Sequence, residues 1–333
     1  MKSAKSKSYH EVLIDLASAN EALVVMTAEN RIHLGELPEI LGPRFIDLGI
    51  CEQTLVGAAA GLALRGRRPF VHALAAFLTM RAFEFIRTDI GLANLPVTLV
   101  GFVPGILSEA NGPTHQAIED IALMRLVPNM QIVCPANIEE LALCIPAVFA
   151  TRRPCYLRFN ETQAAYPAGK PFVLGRAEVR GDGDDVALLS YGVMVAEAEK
   201  ARVILKNQGI GVRLVNLRSL VPIDQEALLE AMCATRFTVT LQDHAGESGL
   251  FEIVLSLISR FQLDINVLPL GFGKRGFIPA AMDLALEHEG LSAERIANAI
   301  RQEFTLTLQK FRRRKALRSR KIARTKGVLT FFG

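Results

Sequence analysis

Short, continuous apolar runs alternate along this chain with stretches that carry apolar residues at helical spacing. Leu23–Thr27, Pro69–Leu74, Pro96–Phe102, Met130–Cys134 and Cys155–Phe159 each read as a strand buried on both faces, and Phe45–Ile50 reads as another. Between them, residues 8–20, 56–64, 77–94, 117–125 and 138–151 carry helical patterns. Strands alternating with helices of 10–15 residues predict βαβ units and a parallel sheet. Proline, glycine and charge then cluster from Glu161 to Asp185, which marks a boundary. A second series follows, with strands predicted at Val186–Tyr191, Val212–Leu217 and Phe237–Gln242. Its helices are predicted at Ala196–Gln208, Asp224–Thr235, Leu250–Arg260 and Ala280–Gln302. The expected architecture is α/β in two domains, 8–165 and 184–306, each a mainly parallel sheet flanked by helices. A linker over 166–183 joins them, and a tail over 307–333 follows. At 333 residues two domains are also the natural size.

One stretch organises the rest. In residues 44–70 an apolar strand runs into an acidic turn at Glu52, and a helix of small residues (Gly57, Ala58, Ala59, Ala60, Gly61) ends at Gly66. So little side-chain bulk lets a backbone or a flat ligand approach closely. A carboxylate in such a low-dielectric place is expected to hold its proton more tightly than usual, which suits a proton-sharing role. Taken alone, Glu52 is equally a helix N-terminal carboxylate with a purely structural job.

The segment GICEQTLVGAAAGLA resembles the pyrimidine-binding domain of the transketolase family of thiamine-diphosphate enzymes, and the resemblance extends over roughly residues 10–305. It implies that Glu52 hydrogen-bonds the cofactor's aminopyrimidine and so helps remove the thiazolium C2 proton. The family stacks a phenylalanine on that ring within F-x-x-F-x-x-Y. Here the pattern is Leu74-x-x-Phe77-x-x-Met80, so Phe77 is the implied stacking residue and Leu74 and Met80 the apolar walls. The loop NGPTHQ resembles the family's DGPTHQ, which assigns His115 to the donor substrate's oxygens. Histidine titrates near neutrality and suits proton transfer.

Departures from the family pattern bear on the substrate. Val103 stands where transketolases place a phosphate-binding histidine, Asn111 where they place an aspartate that reads a sugar hydroxyl, and Glu161 where they place a phosphate-clamping arginine. Arg158 matches a different arginine of the relatives and is a further candidate for substrate binding. Two cations lost and an anion gained disfavour a dianionic phosphate, which such cations recognise. The substrate implied is an unphosphorylated ketose, a short α-keto acid or an unusual aldehyde.

Gly181-Asp182-Gly183, followed by Asn207, imitates the GDG…N signature that holds Mg²⁺ and diphosphate in these enzymes. The genuine motif follows an apolar strand, whereas this one precedes it, so it reads as a hydrophilic turn and Asn207 as a helix end. No metal ligand is therefore assigned to this chain. The resemblance then implies the C-terminal subunit of a split transketolase, which transfers a two-carbon ketol unit from a ketose to an aldehyde. Thiamine diphosphate would be shared with a separate N-terminal subunit, which also holds Mg²⁺ or Ca²⁺, within an α2β2 complex containing a self-dimer. The rival readings are a β subunit of a 2-oxo acid dehydrogenase, a deoxyxylulose-phosphate-synthase-like half, and a non-catalytic interaction subunit.

Composition narrows the classes further. No run of about 18 apolar residues predicts a membrane span, and the basic N-terminus lacks the apolar core of a secretory signal. Five scattered cysteines, none in C-x-x-C spacing, point to free thiols in a reducing, cytoplasmic setting. Tryptophan is absent and aromatics make up 7%, which argues against nucleic-acid stacking platforms. The formal charge of +4 hides an asymmetry. Residues 310–333 carry ten Lys/Arg and no Asp/Glu, leaving −6 on residues 1–309. Such a tail is a solvated extension or contacts RNA, membrane or an acidic partner.

Overall fold

The structure is a computed structural model that describes residues 7–109, 111–166, 171–246, 248–273 and 279–309. The basic run over 310–333 lies outside the described residues. In the first half, the strands are β1 (Leu23–Thr27), β2 (Phe45–Asp47), β3 (Arg68–Leu74), β4 (Thr98–Phe102), β5 (Gln131–Val133) and β6 (Cys155–Arg158). The helices packed on them are α1 (Tyr9–Ala19), α2 (Leu37–Leu41), α3 (Glu52–Leu64), α4 (Ala75–Arg81), α5 (Phe83–Phe85), α6 (Asp120–Arg125) and α7 (Ile138–Thr151). The second half holds β7 (Glu178–Arg180), β8 (Val186–Ser190), β9 (Val212–Asn216), β10 (Ser219–Val221), β11 (Phe237–Ala245) and β12 (Val267–Phe272). Its helices are α8 (Met194–Asn207), α9 (Gln225–Ala234), α10 (Leu250–Phe261), α11 (Met282–His288) and a last one over 293–309.

Two parallel-rich sheets result, each flanked by helices. The seven-stranded sheet has the order β10-β5-β6-β4-β3-β1-β2 and the five-stranded sheet β12-β11-β8-β9-β7. Only β10 and β7, both at sheet edges, run antiparallel to their neighbours. Residues of β1 and β4 are buried along their whole length, as strands covered by helices on both faces must be. One hydrophobic cluster runs through both halves, joining Leu55, Val71 and Met124 to Leu217, Met232 and Val254.

The structure departs from the sequence expectations in instructive places. Ser219–Val221, unassigned from sequence, crosses over to close the edge of the first sheet beside β5, and the Cys134 N–H donates to the Arg218 carbonyl at 2.9 Å. Three-residue edge strands carry too little pattern to read. The stretch expected to be a linker contributes β7, which pairs with β9. The single helix expected over 77–94 breaks at Ala82 and winds as a π-helix from Ile86 to Leu92. The helix expected over 280–302 is interrupted at Gly290, where φ is +73°.

Candidate active site

The carboxyl ends of β1–β4 and β6 and the loops that follow them share one edge of the first sheet, the usual place for a ligand in an open α/β sheet. Glu52 is the first residue of α3, and only 3% of it is exposed. The turn that delivers it is tied down by Asp47, whose side chain accepts from the Gly49 N–H at 3.0 Å, and by the Leu48 N–H donating to the Thr27 carbonyl. Arg81 reaches the buried carboxylate, with Nη1 3.5 Å from Glu52 Oε2.

Arg81 ends α4, one helical turn beyond Phe77, and its guanidinium lies over the Phe77 ring at 3.7 Å from the centroid. His115 also meets that ring, its imidazole edge-on at a centroid distance of 4.8 Å. His115 Nδ1 is 2.8 Å from Thr114 Oγ1. Glu52, Arg81, Phe77 and His115 thus form one continuous line of contacts across α3, α4 and the loop after β4. The sequence reading named three of these four and missed Arg81. Its signal was the i,i+4 spacing from Phe77, which puts both side chains on one helix face.

The remaining candidates fall around this line or away from it. Leu74 ends β3, precedes α4 and is half-buried, while Met80 is 40% exposed. Val103 and Asn111 lie in the His115 loop. Val103 adopts φ +44°, a conformation that β-branched residues avoid and that marks local strain. Arg158 is not brought to the line. It is 2% exposed, donating from Nε to Asp120 Oδ2 (2.9 Å) and from Nη1 to Asp243 Oδ1 (2.7 Å), so it braces the two halves of the chain. Glu161 faces His33, with 4.0 Å between Oε2 and Nδ1. Burial pushes the Glu161 carboxyl up, while the nearby His33 and His10 pull it back.

The turn Gly181–Gly183 sits at the amino end of β8, and its backbone packs against Gly211 and Val212, leaving no ligand space there. Asn207 is the last residue of α8. Among the described residues, no group of three or more His, Cys, Asp or Glu side chains could hold a metal ion. No helix among them is long and apolar enough to cross a membrane.

The matches to known proteins follow this geometry. Residues 2–166 match the transketolase pyrimidine binding domain and residues 175–296 the transketolase C-terminal domain. A putative transketolase C-terminal section from Methanocaldococcus jannaschii is 32% identical over 311 residues, covering 89% of this chain and 95% of that protein. The chain belongs to the transketolase family. One of the subunits of the apulose-4-phosphate transketolase of Phocaeicola vulgatus is 30% identical, covering 87% and 94% of the two chains. A 6-deoxy-6-sulfo-D-fructose transketolase subunit from Clostridium sp. is 33% identical over 73% of this chain and 77% of its own. Among solved structures, a split gene transketolase described as an inactive β4 tetramer superposes with a TM-score of 0.82 at 33% identity. It covers 90% of this chain and 97% of that one. The transketolase C-terminal section and the split gene transketolase chain thus match this chain along nearly their whole length.

Proposed function

We propose that this chain is the C-terminal subunit of a two-subunit transketolase-like enzyme that transfers a two-carbon ketol unit from a ketose to an aldehyde. The observation that carries the reading is the line of contacts from Glu52 through Arg81 and Phe77 to His115. It fits thiamine diphosphate on physical grounds. A planar, delocalised cation already bridges the Glu52 carboxylate and the face of Phe77, and a protonated aminopyrimidine is a planar group with the same two needs. In this reading the diphosphate and its Mg²⁺ or Ca²⁺ are held by a separate N-terminal subunit, as the match to a split gene transketolase suggests.

When bound, the cofactor supplies a carbanion-stabilising thiazolium for cleaving and remaking the bond next to a carbonyl. Phe77 would orient the ring, with Leu74 and Met80 as apolar walls. Glu52 would accept a hydrogen bond from a ring nitrogen and, being buried, would do so with little competition from water. His115 holds or moves a proton at the donor's oxygens, with Thr114 fixing its ring. The lost phosphate positions, Val103 and Glu161, and the altered Asn111 favour an atypical or unphosphorylated sugar. Relatives named for sulfofructose and for apulose 4-phosphate support an enzyme of unusual sugars. Arg158, buried and held by Asp120 and Asp243, is committed to joining the two halves of the chain rather than to an anionic substrate.

A deoxyxylulose-phosphate-synthase-like half is not favoured. The relatives matched along nearly their whole length are named as a transketolase section and a transketolase subunit, whereas the chain spans about half of the synthases. Two-carbon transfer and 2-oxo acid decarboxylation are separated by their products. The chain mixed with its N-terminal partner, a ketose donor and an aldehyde acceptor should give a new ketose with no carbon dioxide. Carbon dioxide release from a 2-oxo acid, with no ketose formed, would replace this reading with the dehydrogenase one.

A further inference from the structure

The loop over 103–119 that carries His115 is long, yet it is fastened at several points by the second half of the chain. At its base Gly105 N–H donates to the Ala117 carbonyl at 2.9 Å, closing the loop on itself. Directly against this closure lies the Asp243 carboxylate, from the end of β11. A side chain at Gly105 would place its Cβ 1.9 Å from Asp243 Oδ2 and 2.9 Å from Arg158 Nη2. Such spacing admits only glycine, which also takes φ +59° there. The next residues of the same strand continue the contact. The Ala245 N–H donates to the Ile118 carbonyl at 2.9 Å, and the His244 ring accepts from the Ala122 N–H at 3.3 Å. Nearer the tip, the Met282 N–H donates to Glu109 Oε1 at 2.9 Å, and Gly112 packs under Pro279.

Asp243 is itself held by charge. Arg158 spans it and Asp120, and Tyr156 donates its hydroxyl to the same Asp120 oxygen at 2.7 Å. The groups facing the cluster are Asp120 on α6, Cys134 after β5, Tyr156 and Arg158 on β6, Tyr191 after β8, and His244 beside Asp243. All are buried. One guanidinium faces two carboxylates, and Asp120 Oδ1, Arg158 Nη2 and Tyr191 OH have no hydrogen-bond partner among the described residues. A group so placed is costly for stability alone, and a buried ionic cluster is weak evidence for stability as its purpose.

We infer that Asp243 is a positioning residue: through Gly105 it fixes the loop that carries His115, so the C-terminal sheet aims the imidazole at the substrate. This rests on the role proposed for His115. Burial pushes the Asp243 carboxyl up to about 6, with Arg158 pulling it down and Asp120 adding to the rise.

The test uses this chain with ¹³C-labelled histidines, in which the six imidazole Cε1–H signals are resolved and assigned by substitution. In Asp243→Asn the His115 signal is expected to move while that of His72, in the core of the first sheet, stays. Gly105→Ala is expected to move it as well. With the N-terminal subunit added, Asp243→Asn should lower kcat by about one to two orders of magnitude, the cost of a misplacement near 1 Å, with KM within about threefold. An unmoved His115 signal or an unchanged kcat in folded Asp243→Asn overturns the inference. Should that variant fail to fold, Gly105→Ala decides by the same two readings. A moved signal with His115→Ala harmless to turnover would instead remove the role given to His115, and with it the catalytic half of the inference, while upholding the clamp.

Discussion

Glu140 offers a quantitative test of how the two halves are joined. It sits in the first turn of α7, 3% exposed, with Oε2 accepting from the Ala136 N–H (2.9 Å) and Oε1 from Asn216 Nδ2 (2.9 Å) on β9. Burial raises its pKa to about 7, and nearby Glu178 adds to the rise. The Ala136 hydrogen bond, Arg218 and Asn216 act the other way. In the unfolded chain the group titrates near 4.5. Below that pH both states hold the proton and Glu140 costs nothing. Between about 4.5 and 7 only the folded state keeps it, so stability falls as pH rises, and above 7 the full penalty applies. At 1.36 kcal/mol per unit this amounts to about 3 kcal/mol. Glu140→Gln removes the titration and one acceptor, a loss of about 1 kcal/mol that does not change with pH. The variant should thus be about as stable as wild type near pH 5 and more stable near pH 8, by about 2 kcal/mol. Denaturant unfolding of both proteins at several pH values measures it, and taking the difference cancels the other titrating groups. A stability difference that is the same at pH 5 and pH 8 would refute the reasoning.

Three further outcomes are expected. Glu52→Gln should leave the unfolding midpoint within a few degrees yet cut turnover in the assembled enzyme by about 10²–10⁴-fold, as loss of an acid–base group does; steady-state kinetics decide. Tyr9→Phe should cost about 1–3 kcal/mol in denaturant unfolding, because it leaves a buried ring nitrogen without its donor. His72 Nδ1 donates to the Met26 carbonyl at 3.0 Å, so Nε2 must accept the Tyr9 hydroxyl at 2.7 Å, in a neutral ring whose pKa burial pushes down to about 4. Restoring cations with Val103→His and Glu161→Arg together should lower KM for a phosphorylated ketose by at least about tenfold, the effect of one charge-assisted contact. An unchanged KM would show that phosphate recognition is not what these positions control.

Much of the fold was legible because fully buried parallel strands must be short, apolar and continuous. Leu23–Thr27 and Val186–Ser190 carry no other signal and need none. Ile138–Thr151 was predicted to the residue, with Asn137 capping it by accepting from the Glu139 and Glu140 N–H groups. What escaped was non-local. Ser219–Val221 becomes a strand only because β5 offers it an edge, and the helix breaks after Arg81 although the helical pattern runs on past it. In the candidate site, Glu52, Phe77 and His115 were visible through their motifs, while Arg81 has meaning only once its guanidinium is seen over Phe77. Asp243 and Arg158 show the same limit more sharply. They are 85 residues apart, and their pairing at 2.7 Å is a property of the two sheets docking.

The central claim is that this chain supplies the pyrimidine half of a shared thiamine-diphosphate site. Calorimetric titration of thiamine diphosphate with Mg²⁺ into the chain alone, into its mixture with the N-terminal subunit, and into the same mixture with Glu52→Gln tests it most directly. Binding in the mixture, none to the chain alone, and turnover lost in Glu52→Gln is the predicted result. Tight magnesium-dependent binding by this chain alone, or no binding in the mixture, would contradict it.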